Sequence, residues 1–213
     1  MAAAIITIAQ QKGGAGKTTL AAQLSVTWSK EGRRVALIDV DPQGSLAAWY
    51  ALRRETLGAE QAGLHLIQAS GWRLTTELDR LKSSYDLIII DSPPHAETDA
   101  RVAVRAGSLV VVPVQPSPMD LWATQPTLDL ARKEKAPALL VLNRTPARGK
   151  LTDTITAKLN ETGIPLSSAS LGNRAAFAAS MMEGKGVVET VPRQVASKEI
   201  RALAQEILTH LSA

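Results

Sequence analysis

Cysteine is absent from the 213 residues. That removes disulfides, thiolate-held metals and iron–sulfur clusters from consideration, and it fits a reducing cytoplasm. No run of about 18 apolar residues occurs, so no segment reads as a membrane span. The first apolar stretch has no basic segment ahead of it and leads directly into a glycine-rich loop, so it reads as a core strand and not a signal peptide. Histidine is scarce, and His65, His95 and His210 lack metal-ligand spacing. They receive no role. Aromatic residues make up only 3%. Trp28, Trp49, Trp72 and Trp122 stand outside any stretch that interleaves basic and aromatic residues, so core or interface packing is expected of them and base stacking is not.

What is present is 45% hydrophobic residues, enough for one well-buried core and too few residues for two comfortable ones, so residues 1–213 are expected to form a single domain. The net charge of +4 is unevenly spread. Residues 1–143 carry 15 basic and 14 acidic side chains, whereas residues 144–213 carry 9 and 6. The excess in the last third points to a polyanion-facing surface there; a slightly basic solvated surface is the alternative.

Apolar runs that read as strands cover 4–9, 34–39, 64–68, 87–90, 109–114 and 138–143, with a short one near Pro165. Helical spacing covers 18–30, 45–56, 72–83, 98–106, 120–133, 152–162, 175–182 and 198–211. The strands are continuous apolar runs, as expected where helices cover both faces of a parallel sheet. A doubly wound α/β fold with a mostly parallel sheet follows, its ligand at the C-terminal ends of the strands.

The chemistry concentrates at such strand ends. Gln11-Lys12-Gly13-Gly14-Ala15-Gly16-Lys17-Thr18-Thr19 lies between the first strand and the first helix. Strand, glycine-rich loop and helix in that order make a phosphate-binding loop, whose backbone N–H groups and helix N-terminus attract phosphate. Lys17 is placed for the β- and γ-phosphates and Thr18 for Mg²⁺. The usual pattern has glycine five residues before Gly16; here that residue is Gln11, and a second lysine, Lys12, follows it. Asp91 ends the fourth strand before Pro93 and Pro94, where a carboxylate holds Mg²⁺ directly or through water, or else caps a helix. Asp39 and Asp41 lie two apart at the end of the second strand, so both can face the nucleotide. Asp41 alternatively serves only the turn at Pro42.

Lys12-Gly13-Gly14-Ala15-Gly16-Lys17-Thr18-Thr19, with Asp39-Val40-Asp41-Pro42-Gln43-Gly44 and Leu87-Ile88-Ile89-Ile90-Asp91, resembles the deviant Walker A group of P-loop ATPases, the ParA/MinD family, and within it the short plasmid-partition type. Some relatives with this loop carry a cluster or metalloid on cysteines, which this chain cannot do. The resemblance implies that ATP with Mg²⁺ is bound by 13–19 and that Lys12 reaches across a nucleotide-sandwich homodimer to the partner's ATP, the alternative being that it flanks its own phosphates. It implies that Asp41 orients the attacking water, that Asp39 joins Thr18 and Asp91 in the metal and loop network, and that Asn143-Arg144 contacts adenine. A turn-forming asparagine is the alternative for Asn143. It also implies a cytoplasmic, nucleoid-associated protein with a cargo-bound activator protein as partner, the cargo being a plasmid, a chromosome or a protein assembly. Arg174 and Lys198 match segments that contact DNA without sequence preference, and Arg201 stands in the same basic stretch.

Two rival readings share the fold. A metabolic P-loop enzyme of the dethiobiotin-synthetase type needs a substrate constellation that the sequence does not display. A MinD-like membrane regulator needs basic residues opposite the apolar face of its last helix; here that side is mixed, with Lys198, Glu199, Arg201, Gln205 and Glu206. That helix is expected to pack on the core.

Overall fold

A computed structural model describes residues 3–94, 97–147 and 149–212. His95 lies outside them. Among the described residues the strands are β1 (Ala4–Ile8), β2 (Val35–Asp39), β3 (His65–Gln68), β4 (Leu87–Asp91), β5 (Leu109–Val114) and β6 (Ala138–Leu142). The helices are α1 (Lys17–Lys30), α2 (Ser45–Leu57), α3 (Gly71–Leu81), α4 (Glu97–Ala106), α5 (Pro118–Lys133), α6 (Lys150–Asn160), α7 (Ala175–Met182), α8 (Val187–Thr190) and α9 (Val195–Ser212).

All pairings are parallel, in the order β3-β2-β4-β1-β5-β6. Every residue of β2, β4, β5 and β6 is buried, because side chains on both faces meet helices. On one face Leu20, Leu24, Leu46, Trp49, Val187, Ile200 and Leu203 bring α1, α2, α8 and α9 onto Leu37, Ile89 and Val111. On the other, Leu74, Leu78 and Ala103 of α3 and α4 cover Ile38, Ile88 and Ile90, and Leu128 and Ile155 of α5 and α6 cover Val112 and Leu140. Each fully buried aliphatic side chain contributes about 1.5–3 kcal/mol. The apolar face of α9 is spent in this way: Ile200, Leu203, Ala204 and Ile207 are all buried.

Register sets the site. Asp91 is paired with Ile8 on one side and Asp39 on the other, so the end of β1 and both carboxylates stand at one level. Asp39 and Asp91 stand two residues beyond Leu37 and Ile89, which face α1, and so point to that same side of the sheet.

One sequence expectation needs correction. The strand near Pro165 is reduced to isolated parallel bridges, Leu140 with Leu166 and Thr145 with Gly172. Between them the chain curls so that Glu206 accepts from the Ser168 and Ala169 N–H groups at 3.0 and 3.1 Å, which breaks a continuous ladder. Of the core-or-interface expectation for the tryptophans, the core half describes Trp28 and Trp49, whereas Trp72 and Trp122 are 81% and 67% exposed and are left with the interface half. Both lie off the buried stripes of their helices, Leu74–Leu78–Leu81 in α3 and Thr124–Leu128–Ala131 in α5.

Candidate nucleotide site

The loop between β1 and α1 is shaped by glycine. Gly14 and Gly16 have φ of 77° and 93°, a region that costs other residues about 1–2 kcal/mol. At Gly16 a Cβ would also come within 2.5 Å of Asn143 Nδ2. Gly16 caps α1 with no side-chain partner, so the first N–H groups of the helix, including those of Lys17, Thr18 and Thr19, remain available to an anion. Gly13 is exposed, with open space where a Cβ would stand. Neighbouring strand ends brace the loop: Asn143 Nδ2 donates to the Ala15 carbonyl at 2.8 Å and Gln115 Nε2 to that of Gly14 at 3.0 Å.

Lys17 is buried, and desolvation pushes its ammonium below the ordinary lysine range, opposed by the charges of Asp91 and Asp41. Thr18 Oγ1 donates to Asp91 Oδ2 at 2.6 Å. Burial pushes the Asp91 carboxyl up to about 7; the Thr18 hydrogen bond and Lys17 oppose this, while the Asp39 and Asp41 charges add to it. Asp91 Oδ1 is buried and has no partner among the described residues. A spare buried carboxylate oxygen beside a threonine hydroxyl, next to an anion cradle, fits a hydrated Mg²⁺.

Asp39 is buried, and desolvation raises its pKa against the pull of backbone N–H groups. Its Oδ1 accepts from the Asp41 N–H at 3.1 Å and its Oδ2 from the Ala47 N–H at 2.9 Å. Its contacts therefore fasten the loop and the start of α2, the supporting half of its expected role. Asp41 Oδ1 accepts from the Gln43 N–H at 3.0 Å, a local turn that leaves Oδ2 unengaged among the described residues.

Lys12 ties the loop to α5. Its Nζ donates to Asp120 Oδ2 at 2.5 Å, in the first turn of α5, where Ser117 Oγ donates to the same oxygen at 2.6 Å. Beside the loop, a cavity of about 200 Å³ is lined by Gly16, Thr19, Asn143, Arg144, Asn173 and Phe177 among others. Its size and mixed lining suit a nucleoside base. Asn143 is a wall of it, but both ends of its amide are engaged, one by Ala15 and the other by the Arg144 N–H at 2.9 Å.

This geometry has relatives. Residues 6–203 match the family described as the CobQ/CobB/MinD/ParA nucleotide binding domain. The chain belongs to that family. The "Maintenance of carboxysome distribution protein A" of Halothiobacillus neapolitanus is 30% identical over 210 residues, covering 95% of each chain. The "Chromosome-partitioning ATPase Soj" of Thermus thermophilus is 34% identical over 139 residues, covering 52% of this chain and 54% of Soj. The crystal structure of the Pyrococcus furiosus cell division ATPase MinD superposes with a TM-score of 0.80 at 26% identity, over 97% of this chain and 98% of that one.

In this ParA/MinD-family chain the residues expected to meet DNA are partly brought together. Arg174, at the N-cap of α7, shares a shallow groove with Arg193 before the start of α9. Lys198, in the first turn of α9, is exposed and forms no ion pair among the described residues. Arg174 is paired with Glu199, and Arg201 turns toward Glu31 at 3.9 Å. Asp120, Gln115, Phe177 and Glu199 were given no site role by the sequence. Only Asp120 carried a local signal, as the acidic third residue after the Ser117 cap of a helix.

Proposed function

We propose that the protein is a ParA-type ATPase that positions a bulky cargo. It binds ATP with Mg²⁺, dimerises face to face around two nucleotides and holds DNA non-specifically as that dimer. A cargo-bound activator protein stimulates its otherwise weak hydrolysis. The observation that carries this reading is Lys12: a second loop lysine, whose Nζ is held by Asp120 of α5.

In this reading, the loop N–H groups and Lys17 bind and orient the β- and γ-phosphates. Thr18 and Asp91 hold Mg²⁺, which neutralises the charge on those phosphates. Asp41 orients the attacking water through its unengaged oxygen, while Asp39 keeps that segment in place. Lys12 leaves Asp120 and places its charge at the phosphates of the opposite subunit, as an arginine finger does in trans. Phosphoryl transfer asks mainly for such positioning and charge stabilisation, so no strong base is required.

Coverage supports one class of cargo over the others. The relative matched over 95% of both chains is named for carboxysome distribution, whereas the chromosome-partitioning relative matches about half of each. A protein assembly is therefore favoured over a chromosome or plasmid. Light scattering with Mg²⁺ and a non-hydrolysed ATP analogue tests the central step. Conversion of monomer to dimer is expected, absent in Lys17→Ala; a monomer at saturating nucleotide refutes the sandwich.

A further inference from the structure

Arg174 is not a free cation. Its Nε donates to Glu199 Oε2 at 2.8 Å and its Nη2 to Glu199 Oε1 at 2.5 Å, a two-pronged pair. The Gly172 N–H adds a third donor to Glu199 Oε2 at 3.2 Å. A Cβ on Gly172 would lie 2.9 Å from Arg174 Nε, so the guanidinium packs directly on that glycine. The side chains of Arg174 and Glu199 are 39% and 18% exposed, so the pair is reachable from solvent yet partly sheltered.

Its surroundings are cationic. Lys198 precedes Glu199 and is exposed, and Arg193 lines the groove that Arg174 also lines. A carboxylate stands in the middle of a basic surface, and it has taken the arginine best shaped for a phosphate. A polyanion that takes the Nε–Nη2 edge of Arg174, the two-pronged edge, must first break this pair. We propose that Glu199 is an internal competitor for the phosphate backbone: its carboxylate occupies Arg174, and duplex DNA gains that arginine only by displacing it. This rests on the DNA-binding part of the proposed function and adds the residue that limits it. Lys198 supplies attraction at all times, and Arg174 joins only when Glu199 is released.

The test is a cycle of three variants, Glu199→Gln, Arg174→Ala and the two combined. Binding to two unrelated duplexes of equal length is measured over a salt series with a non-hydrolysed ATP analogue present. Glutamine keeps an acceptor for the Gly172 N–H while losing the charge, so nucleotide affinity is expected to stay at the wild-type value. E199Q is expected to bind both duplexes about three- to fivefold more tightly per protomer, the range set by a partly exposed ion pair. Its salt dependence is expected to steepen by about 0.9 per protomer, one further phosphate being neutralised.

The Arg174→Ala background decides the cause. Competition predicts that the gain from E199Q disappears there; a simple change in net charge predicts that it survives. Survival, or unchanged affinity in E199Q alone, overturns the competition and leaves the DNA surface standing. Loss of nucleotide affinity in E199Q without a DNA gain assigns Glu199 to the rim of the base cavity and likewise overturns it. Absence of binding by wild type and every variant at low salt removes the DNA surface and the competition together.

Discussion

Lys12 and Asp120 form an ion pair at 2.5 Å between the phosphate loop and the first turn of α5, and the two partners are unequally buried. The lysine side chain is 33% exposed and the aspartate 3%. Asp120 Oδ1 has no partner among the described residues, so the carboxylate depends on Lys12 and Ser117 through its other oxygen. Removing the lysine strands a buried charge; neutralising the aspartate leaves a lysine that can turn to water. Lys12→Ala is therefore expected to cost about 1–3 kcal/mol in the nucleotide-free protein. Asp120→Asn is expected to cost under about 1 kcal/mol, since a pair exposed on one side contributes little. Urea unfolding of both variants checks this, and a larger loss in Asp120→Asn contradicts it.

The same pair sets a functional expectation. If Lys12 must leave Asp120 to serve the opposite subunit, Asp120→Asn lowers the cost of leaving. Dimer formation is then expected at lower concentrations of ATP analogue than in wild type, by light scattering. A variant that needs more analogue than wild type would place Asp120 in the dimer itself and not in the resting monomer.

Asp41 hydrogen-bonds only its own turn through Oδ1. Asp41→Ala is expected to leave ATP binding within about twofold and to slow hydrolysis about a hundredfold or more, as for removal of a water-positioning group. Nucleotide titration and steady-state phosphate release separate the two. Wild-type turnover would move the role elsewhere, and Asp39 is a poor substitute because backbone N–H groups already engage both its oxygens.

Local chemistry was legible in the sequence. The apolar runs gave β1, β2, β4, β5 and β6 to within a residue or so, because strands buried on both faces need no register signal. The phosphate loop was legible because its glycines, lysine and threonine are contiguous. The hidden parts join residues far apart. Lys12 meets Asp120 across 108 positions and Arg174 meets Glu199 across 25, and no spacing rule links such pairs. Charge counting put a basic excess in the last third, where Arg174 lies, but could not show that Arg174 is paired with Glu199. Phe177 lines the cavity beside the loop, but its helix, α7, is only eight residues long and nearly all apolar, so periodicity gave no face to read.

That residue carries its own test. Phe177 is the one phenylalanine in the chain and the aromatic side chain of the cavity beside the loop. A base packed on it gains about 1–3 kcal/mol. Phe177→Ala is expected to weaken ATP about tenfold while leaving inorganic tripolyphosphate, which reaches only the loop, unchanged by calorimetry. Equal weakening of both ligands would mean that the substitution deforms the loop instead.

Arg53 is buried, its side chain 1% exposed, and it ties α2 to the segment around α8. Its Nη1 and Nη2 donate to Glu189 at 2.8 and 2.9 Å, its Nε to the Ala62 carbonyl at 2.8 Å, and Nη1 also to that of Gly184 at 3.1 Å. Gly184 has φ of 65°, and a Cβ there would lie 2.5 Å from the Arg53 backbone, so the two segments touch with no room to spare. Burial alone would raise the Glu189 pKa, but hydrogen bonds from Arg53 and the Gly186 N–H, with the Arg53 charge and Lys30, bring it below 4.5. A depressed carboxylate stabilises the fold above its ordinary value and loses that contribution as pH falls through its folded pKa. Glu189→Ala is expected to cost about 3–5 kcal/mol at neutral pH, because it leaves a buried guanidinium without its counter-charge. Replacing both partners, Arg53→Met with Glu189→Leu, is expected to cost less than the single change. The single variant's deficit against wild type should also shrink as pH falls from the ordinary value of 4.5 through the depressed folded pKa, as Glu189 becomes protonated in both states. Thermal unfolding of the three proteins across pH measures all of this. A single variant as stable as wild type would show that the two carbonyls alone satisfy Arg53, and that α2 is anchored by packing and not by charge.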